Sequence, residues 1–404
     1  MANNNENKIL NVPNLRFPEF TGEWKKYRLD EMGESFIGLT YSPKDVVENE
    51  GTIVFRSSNI QNGQIDYSDI VRVSKTIKER IITRENDLLI CARNGSPRLI
   101  GKNALIKKTD ANNTFGAFMM VYRSIDNDFI HPLLSTRRYV SQVGENLGAR
   151  INQITTSDLN SFEFFFPKDD GEKRKIGKLF DLLNERIATQ NKIIEDLKKL
   201  KSAIIDYIFS NEAQSYRKRV LLSDVATKIT RKNTNNQISN VLSNSANQGI
   251  IPQNEVFDRE IANEDNTSNY FVISQNDFVY NPRKSITAPY GPINRYHGET
   301  DGVISPLYLC FRSHSIDVEY LRWYFQSDSW HKYVYQNGDT GVRHDRVSIK
   351  DETFFSMPLY IHSAEEQMEI AERLNKIESL VSIEEQFLFR LKSQKQYLLH
   401  QMFI

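Results

Sequence analysis

The chain has 404 residues, of which 26% are charged and 11% aromatic, a composition typical of folded domains rather than of disordered segments. Lys+Arg and Asp+Glu number 52 each, so the overall charge favours no polyanionic partner, although nucleic-acid binding depends on local patches. Its two cysteines, Cys91 and Cys310, form neither a disulfide framework nor a metal-ligand pattern, and no apolar run approaches the ~18 residues that span a bilayer. We therefore expect a cytoplasmic chain of two or three domains without membrane contact.

The first domain is predicted at residues 23–168, after an extended arm at residues 1–22 in which Pro13 and Pro18 bracket the sequence NLRF. Its middle is rich in β-branched and aromatic residues, with Asn-Gly and Gly between the runs, which is typical of short strands. The predicted strands are Thr52–Arg56, Ile65–Val73, Asp87–Ala92, Met119–Arg123 and Phe162–Phe166.

Two helices are predicted towards the end of this first half. The shorter covers His131–Val143, with Pro132 at its first position, where the amide hydrogen that proline lacks would have no partner. The longer is a central spacer segment at residues 169–211, with Asp170 as its candidate cap. Its stretch Glu172–Phe209 contains no proline, and only Gly177 weakens the helix propensity there.

The second half of the chain repeats the plan of the first. A second domain is predicted at residues 212–362 and a second long helix at residues 363–404. An offset of 190 residues pairs Asn86–Ile90 with Asn276–Tyr280, Arg93 with Arg283, and Gly101 with Gly291. A period of this length indicates a duplicated domain rather than a solenoid.

The two long segments share an apolar stripe whose steps alternate between four and three residues, the spacing of a coiled-coil seam. Such a stripe needs a partner, and the second copy supplies one, although ordinary bundle helices are the alternative. Polar residues interrupt both stripes at equivalent places, Gln190 with Glu384 and Lys201 with Lys395, and a staggered antiparallel pair would bring Glu384 to Lys201 and Gln190 to Lys395. The seam residues are Ile176, Phe180, Leu183, Ile187, Ile194, Leu197, Ile370, Leu374, Ile377, Val381, Leu388 and Leu391.

These patterns predict an α+β fold. It has two similar mixed α/β domains, each followed by a long helix, and the two helices pair as an antiparallel coiled coil. No catalytic constellation accompanies them: no glycine-rich phosphate loop follows a strand, and Asn281-Pro282-Arg283 lacks the second proline and the aromatic of the amino-methyltransferase motif. The histidines lack metal-ligand spacing, and Cys91 lies in the apolar run LLIC, where a core thiol is expected. These motifs therefore provide no candidate catalytic or metal-binding residue.

Basic clusters recur at equivalent places in both halves. The stretch Cys91–Lys108 contains basic, glycine and asparagine residues but no acidic residue, as does its counterpart Asn281–Tyr296. Residues 149–153 and 342–346 form a second pair. Arginine reads guanine edges, asparagine reads adenine, and lysine or arginine holds phosphates; solvated charged loops are the alternative. The candidate DNA-binding residues are Arg93, Asn94, Arg98, Lys102, Arg150, Asn152, Arg283, Lys284, Tyr290, Asn294, Arg295, Arg343, His344 and Arg346.

The arm carries a family resemblance. Its sequence PNLRFPEF at residues 13–20, followed by Gly22-Glu23-Trp24, resembles the N-terminal signature of specificity subunits of type I restriction–modification systems. The order domain–helix–domain–helix extends that resemblance to the whole chain and is more specific than any single motif. The resemblance implies two target-recognition domains, each reading one half of a bipartite DNA target, and central and C-terminal spacer helices that set the gap between the half-sites.

The resemblance also implies partners. They are double-stranded DNA, two methyltransferase (modification) subunits that bind S-adenosylmethionine, and two restriction subunits that use ATP and Mg²⁺ for translocation and cleavage in bacterial defence. This chain would hold no cofactor and perform no catalysis. The competing hypotheses are a non-catalytic two-domain protein–protein scaffold without DNA readout and a stand-alone methyltransferase or nuclease. Candidate docking residues on the helices, which could instead close the foot of each domain, are Leu179, Ile193, Leu200, Ile205, Phe387 and Phe389.

Overall fold

The structure is a computed structural model that describes residues 10–147, 152–210, 217–256, 267–339 and 345–404. The chain forms two compact units. Unit 1 contains Met1–Ile193 and Glu384–Ile404, and unit 2 contains Ile194–Ile383. Each unit therefore combines one domain with a segment of each long helix.

Short strands and helices build the domain of unit 1. Its strands are β1 (Lys25–Arg28), β2 (Glu34–Ile37), β3 (Val46–Val47), β4 (Thr52–Phe55), β5 (Ile60–Gln61), β6 (Gln64–Ile65), β7 (Arg72–Val73), β8 (Leu88–Cys91), β9 (Asn103–Leu105), β10 (Thr114–Phe115), β11 (Met119–Arg123) and β12 (Glu163–Phe166). Its helices are α1 (Leu29–Met32), α2 (Asn127–Leu133), α3 (Arg137–Leu147) and α4 (Thr156–Ser161), followed by the long α5 (Asp170–Phe209) that continues into unit 2.

The domain of unit 2 has a matching set of elements. Its strands are β13 (Lys218–Leu221), β14 (Ala226–Lys228), β15 (Val241–Ser245), β16 (Gly249–Pro252), β17 (Phe271–Ile273), β18 (Phe278–Tyr280), β19 (Ile293–Arg295), β20 (Gly302–Ile304), β21 (Leu309–Ser313) and β22 (Pro358–Ile361). Its helices are α6 (Leu222–Val225), α7 (Gln253–Val256), α8 (Val318–Gln326), α9 (His331–Asn337), α10 (Asp351–Phe355) and the long α11 (Ala364–Met402), which ends in unit 1.

Two kinds of sheet recur with the same strand order in both domains, and another shares its parallel strand pair. A four-stranded sheet in unit 1 has the order β2-β11-β8-β9, and its counterpart in unit 2 has the order β14-β21-β18-β19. A second sheet contains the parallel pair β4–β10 in unit 1 and the parallel pair β15–β20 in unit 2. A third, two-stranded sheet joins β1 to β12 and β13 to β22. The duplication seen in the sequence is therefore a duplication of fold.

The ends of the long helices complete the core of each domain. In unit 1, Phe180 of α5 and Phe403 after α11 stack at 5.7 Å, and Phe403 also packs on Trp24 and Phe129. In unit 2, Phe209 at the end of α5 packs on Tyr320 at 5.3 Å. Because each domain's core includes side chains from both long helices, domain and helix ends fold as one apolar unit.

The arm that carries the family resemblance is fixed by the start of α5. Arg16 donates through Nε and Nη2 to the two carboxylate oxygens of Glu172, both at 2.7 Å, and Trp24 Nε1 donates to the same carboxylate at 3.3 Å. The Leu15 amide donates to the Gln401 carbonyl at 2.9 Å. These residues therefore have a structural role in unit 1, where they join the arm to both long helices.

The two long helices pair antiparallel within each unit, and every predicted seam residue is buried or half-buried. The predicted stagger is wrong. Gln190 Nε2 donates to Glu384 Oε2 at 2.5 Å, and Lys201 Nζ lies 3.5 Å from Glu378 Oε1. Gln190 and Glu384 are repeat equivalents, 194 positions apart, so their contact marks the centre of the pair. Lys201 therefore pairs with Glu378 rather than with Glu384.

Other local predictions are confirmed or corrected. The strands at Met119–Arg123 and close to Thr52–Arg56, Asp87–Ala92 and Phe162–Phe166 are confirmed. A single strand over Ile65–Val73 is wrong, because the Asp66 carboxylate accepts from the Ser68 amide and turns the chain between β6 and β7. The cap of α5 is Asp169 rather than Asp170, since its side chain accepts from the Gly171 amide at 2.7 Å.

The helix predicted over His131–Val143 is also wrong. Pro132 lies in the last turn of α2 rather than at the start of a helix, and α3 begins separately at Arg137. The missing amide of Pro132 leaves the Asp128 carbonyl without its helical donor. That carbonyl faces Gly177 of α5, where an added Cβ would lie 2.8 Å from the Asp128 carbonyl carbon and oxygen. Gly177 thus permits a close approach between α2 and α5.

Replacing Gly177 by alanine is therefore expected to destabilise the protein by about 1–3 kcal/mol, because the new methyl group meets backbone atoms. Helix propensity alone predicts the opposite, a gain of ~1 kcal/mol. The control is Gly144→Ala in α3, where a Cβ meets no atom within 4 Å and the gain should appear. Urea unfolding of both variants measures the two signs. Equal stabilisation by both substitutions would contradict this account of the contact.

Candidate nucleic-acid interface

Two loops that the sequence marks as basic meet at one edge of the unit 1 domain. The first follows the buried strand β8 and contains Arg93 and Asn94, and the second precedes α4 and contains Asn152. The Ile154 amide donates to the Ala92 carbonyl at 2.9 Å, and the Asn94 amide donates to the Asn152 carbonyl at 3.4 Å. We call this pair of hydrogen bonds the loop bridge. It brings together residues that are about 60 positions apart.

The same loop bridge occurs in unit 2. The Val347 amide donates to the Pro282 carbonyl at 2.9 Å, and the Lys284 amide donates to the Asp345 carbonyl at 2.8 Å. These positions lie 190 and 193 residues beyond their counterparts in unit 1. Arg93 pairs with Gln153 across the first bridge and Arg283 with Arg346 across the second. The recurrence predicted from the basic clusters is therefore a recurrence of backbone geometry.

A third loop joins each bridge. In unit 1, Asn94 Nδ2 donates to Ser57 Oγ at 2.9 Å. In unit 2, Asn281 Nδ2 donates to the Asn244 carbonyl at 2.9 Å. Ser57 follows β4, and Asn244 lies in β15, the strand equivalent to β4. Each edge is thus held by asparagine side chains between loops, which fixes the backbone and leaves the arginines to project from it.

An exposed aromatic lies beside the arginine of unit 1. The Arg93 guanidinium stacks over the Phe118 ring at 5.1 Å, and the Phe118 carbonyl accepts from the Ala92 and Arg93 amides, both at 3.0 Å. Phe118 is 58% exposed, which is unusual for a phenylalanine next to a folded core. A cation, an apolar ring and amide groups therefore share one surface.

The matching edge of unit 2 forms a small cavity of about 250 Å³. Arg283 and Arg346 line it from the loop bridge, Asn244 from β15, and Leu307 and Tyr308 from the turn equivalent to that of Phe118. Leu307 is 62% exposed. The two edges share a backbone frame but present different side chains, as expected of two surfaces that recognise different ligands.

Nine of the predicted residues fall into three groups. Arg93, Arg98 and Arg283 are exposed, and no carboxylate pairs with their guanidinium groups within the described ranges. Lys102, Lys284 and Arg346 are half-buried at the same edges. Arg150, Arg343 and His344 lie outside the described residues.

Three predicted residues belong to the framework instead. Arg295 is only 9% exposed in its side chain and forms an ion pair with Glu319 at 2.5 Å, so its guanidinium is engaged within the domain. Asn294 Nδ2 donates to Asn244 Oδ1 at 2.7 Å and is likewise engaged internally. The Tyr290 ring packs on His331 at 4.8 Å and is half-buried. A local sequence motif cannot show such contacts, because the ion-pair and ring partners lie on other elements of the fold.

Four contributors to the edges were missed: Ser57, Phe118, Leu307 and Tyr308. Phe118 and Tyr308 each directly precede a strand, β11 or β21, at the same offset of 190 residues. A search for exposed aromatics at matching turns of the repeat could have found them.

The two cysteines are core groups. Burial raises the pKa of the Cys91 thiol to about 11 and that of Cys310 to about 12, so both are protonated core groups at neutral pH. The described part of the chain contains no cluster of His, Cys, Asp and Glu that could hold a metal ion. Nor does any helix in it have the length and apolar character needed to cross a membrane.

Part of the chain is similar in sequence to known proteins. Residues 21–199 match the family described as the type I restriction modification DNA specificity domain. The specificity subunit of the type I restriction enzyme EcoKI from Escherichia coli (strain K12) is 27% identical over 179 residues, and that of StySPI from Salmonella potsdam is 26% identical. The aligned segment covers 42% of this chain and only 38% of the length of each relative.

The sequence match to the specificity-domain family therefore covers residues 21–199, less than half of this chain. The likeness in fold extends over both units. A crystal structure of the specificity subunit from M. genitalium has a TM-score of 0.56 at 14% identity, covering 97% of this chain and 99% of that one. A chain from a structural study of complex assembly and conformational transition in the type I restriction–modification system has a TM-score of 0.52 at 15% identity, covering 93% of this chain and 96% of that one. The specificity-subunit fold therefore includes unit 2, which the family match does not reach.

Proposed function

We propose that this chain is a specificity subunit of a type I restriction–modification system and reads a bipartite DNA target, with one half-site recognised by the edge of each domain. The observation that carries the proposal is the loop bridge, which recurs in both units and projects an exposed arginine from each. A duplicated frame with different side chains suits two half-sites of different sequence. The chain itself would be non-catalytic.

The side chains at each edge fit DNA contacts. An exposed arginine can donate two hydrogen bonds to guanine O6 and N7 in the major groove, and an apolar side chain such as Phe118 or Leu307 can contact a thymine methyl group. The half-buried lysines and Arg346 suit phosphate contacts, which position the protein without reading sequence.

The test is DNA binding by the complex assembled with its modification subunits. Binding to duplexes with both half-sites, one half-site or neither should fall in that order, and the affinity should decrease steeply with salt. If the assembled complex has no DNA affinity at low salt, the alternative of a two-domain protein–protein scaffold is the better explanation.

We also propose that the helix pair sets the number of unspecified base pairs between the half-sites. Helix α5 has 40 residues and α11 has 39. At 1.5 Å per residue each is ~60 Å long, enough to match half-sites one helical turn of DNA or more apart, at ~34–36 Å. The Gln190–Glu384 contact would fix the register on which that length depends.

Inserting seven residues into each helix, after Asn191 and after Glu385, tests this ruler. One heptad keeps the apolar seam in phase and lengthens each helix by ~10.5 Å, the length of ~3 base pairs. We expect the preferred spacer to grow by that amount while both half-sites stay the same. Selection from a library of duplexes with variable spacers measures it. The control is the insertion in α5 alone, which should mismatch the pair and lower stability; an unchanged spacer in the double insertion would refute the ruler.

The partners we propose are two methyltransferase subunits, which bring S-adenosylmethionine, and two restriction subunits, which bring ATP and Mg²⁺, all acting on DNA in the cytoplasm. Exposed apolar residues on the long helices suit docking of the methyltransferase subunits: Ile193, Leu200 and Phe389. Two earlier candidates do not, because Ile205 lies in the core of unit 2 and Leu179 packs against the core of unit 1. Phe387 is half-buried under the Arg186 guanidinium.

A further inference from the structure

The buried cations beside the helix pair are neutralised in unit 2. Lys201 lies 3.5 Å from the Glu378 carboxylate, and Arg322 of α8 donates to the same carboxylate at 2.9 Å. Arg322 also pairs with Glu319 at 2.9 Å. The Glu378 carboxylate therefore lies between a lysine and an arginine that are both largely shielded from solvent.

The equivalent place in unit 1 lacks this carboxylate. The repeat converts Lys201 to Lys395 and Glu378 to Asn184, each at an offset of 194 residues. It converts Arg322 to His131, at the offset of 191 residues that relates α8 to α2. Lys395 has no ion pair within the described ranges of the chain, and Asn184 can offer an amide but no negative charge.

The environment of Lys395 shifts its own pKa and that of a neighbouring histidine. Burial lowers the pKa of Lys395 below its ordinary value, with no carboxylate to oppose the effect. Burial first, and the nearby charge of Lys395 second, lower the pKa of His131 to about 4, so the imidazole is neutral at pH 7. One uncompensated ammonium group therefore remains at this point of unit 1.

A cavity of about 430 Å³ opens in front of that ammonium group. Amide side chains dominate its wall: Gln61, Asn62 and Gln64 from β5, β6 and their turn, Asn184 and Asn191 from α5, and Gln396 from α11. Lys392 of α11 is a second lysine on the wall beside Lys395. The one acid on the wall is Asp66, whose carboxylate accepts hydrogen bonds from the Ser68 amide and hydroxyl. The Asp66 carboxylate is already occupied by its hydrogen bonds to Ser68. The ammonium group and the amide donors around the cavity therefore suit an oxyanion.

We propose that this cavity binds a phosphate group, held by the Lys395 ammonium and by amide donors that include Asn184. The phosphate would supply the negative charge that Glu378 supplies in unit 2. A phosphate fits better than a halide, because its oxygens can accept from several donors at once and the cavity has room for them. The group can be free inorganic phosphate or a backbone phosphate of bound DNA, and the second source rests on the proposed function.

Asn184→Glu provides a sharp test, since it installs in unit 1 the carboxylate that unit 2 already has. The full chain is unfolded thermally in inorganic phosphate and in chloride at equal ionic strength. The wild type should melt ~3 °C higher in phosphate at about ten times the dissociation constant. Asn184→Glu should melt higher than the wild type in chloride and gain nothing from phosphate. Lys395→Met, which keeps the side-chain volume, should also lose the response.

Gln386→Glu is the control, because it adds the same charge at an exposed position of α11 and should leave the phosphate response intact. Equal melting of the wild type in phosphate and chloride would overturn the proposal. So would a normal phosphate response in Asn184→Glu.

DNA binding of the assembled complex separates the two sources. If the phosphate belongs to DNA, Asn184→Glu should weaken binding to target and unrelated duplexes alike and reduce the salt slope by about one. If the phosphate is free, DNA affinity should be unchanged while the melting response is lost. A wild-type complex that binds no DNA would refute the proposed function, and the phosphate titration would still decide this site.

Discussion

Replacing Arg93 by alanine is expected to weaken binding of the assembled complex to its target roughly 10- to 100-fold, the loss of one good base contact. The Arg93 guanidinium is exposed over the Phe118 ring and has no carboxylate partner in the described part of the chain. Its removal therefore withdraws a contact from DNA without leaving a buried charge. The effect should fall on one half-site only, so changes of the base that Arg93 reads should cease to matter while those in the other half-site keep their cost.

Arg283→Ala is the matched variant and should produce the mirror result at the other half-site. Arg219→Ala, an exposed arginine in β13 away from the loop bridge, is the control for charge alone. Competition binding with single-base variants of each half-site measures all three. If Arg93→Ala and Arg283→Ala leave specific binding intact, the loop bridge does not carry the reading residues.

Asp87→Ala is expected to destabilise unit 1 by about 3–5 kcal/mol, since it removes one partner of a buried ion pair. Arg123 donates to the two Asp87 oxygens at 2.7 and 2.6 Å, and Asp87 is fully buried. The repeat forms the same pair between Arg312 and Asp277, at 2.7 and 2.9 Å. The arginines differ, however: the Arg123 side chain is 21% exposed and that of Arg312 is 60% exposed.

Asp277→Ala should therefore lower the free energy of unfolding by less, about 1–3 kcal/mol, because water can reach the Arg312 guanidinium that loses its partner. Thermal unfolding followed by circular dichroism should show a midpoint lowered by roughly 10 °C for Asp87→Ala and by less for Asp277→Ala. Asp69→Ala, which breaks the exposed pair with Arg56, is the control and should change stability by under about 1 kcal/mol. Equal losses from the two buried aspartates would show that solvent access does not set the difference.

The duplication and the helix seam could be predicted because both are periodic in the sequence. Apolar residues at steps of four and three specify the face of a helix whatever the rest of the chain does. Strands β8 and β11 could also be predicted, since each is a continuous and largely apolar run of residues. The prediction at Pro132 was wrong because proline suits the first turn of a helix and also occurs, at a higher energetic cost, in its last turn.

The site was only partly predictable. Comparison of the two halves marked the correct loops, but nothing local shows that the Arg93 loop meets the Asn152 loop. Arg295 looks like Arg283 in sequence, and only the distant Glu319 on α8 makes it structural. Lys395 and Lys201 are indistinguishable in their own helices, and their difference lies in Asn184 and Glu378 on the partner helix.

The Gln190–Glu384 contact has a consequence for how chains choose their partners. Each residue sits where its own repeat equivalent would sit in a pair of identical helices. Two copies of α11 paired in this way would set one Glu384 carboxylate against another at the centre of the seam, and like charges there repel. Within one chain the glutamate meets a glutamine that donates to it. A single amide at the midpoint therefore favours pairing of α5 with α11 over pairing of two copies of α11.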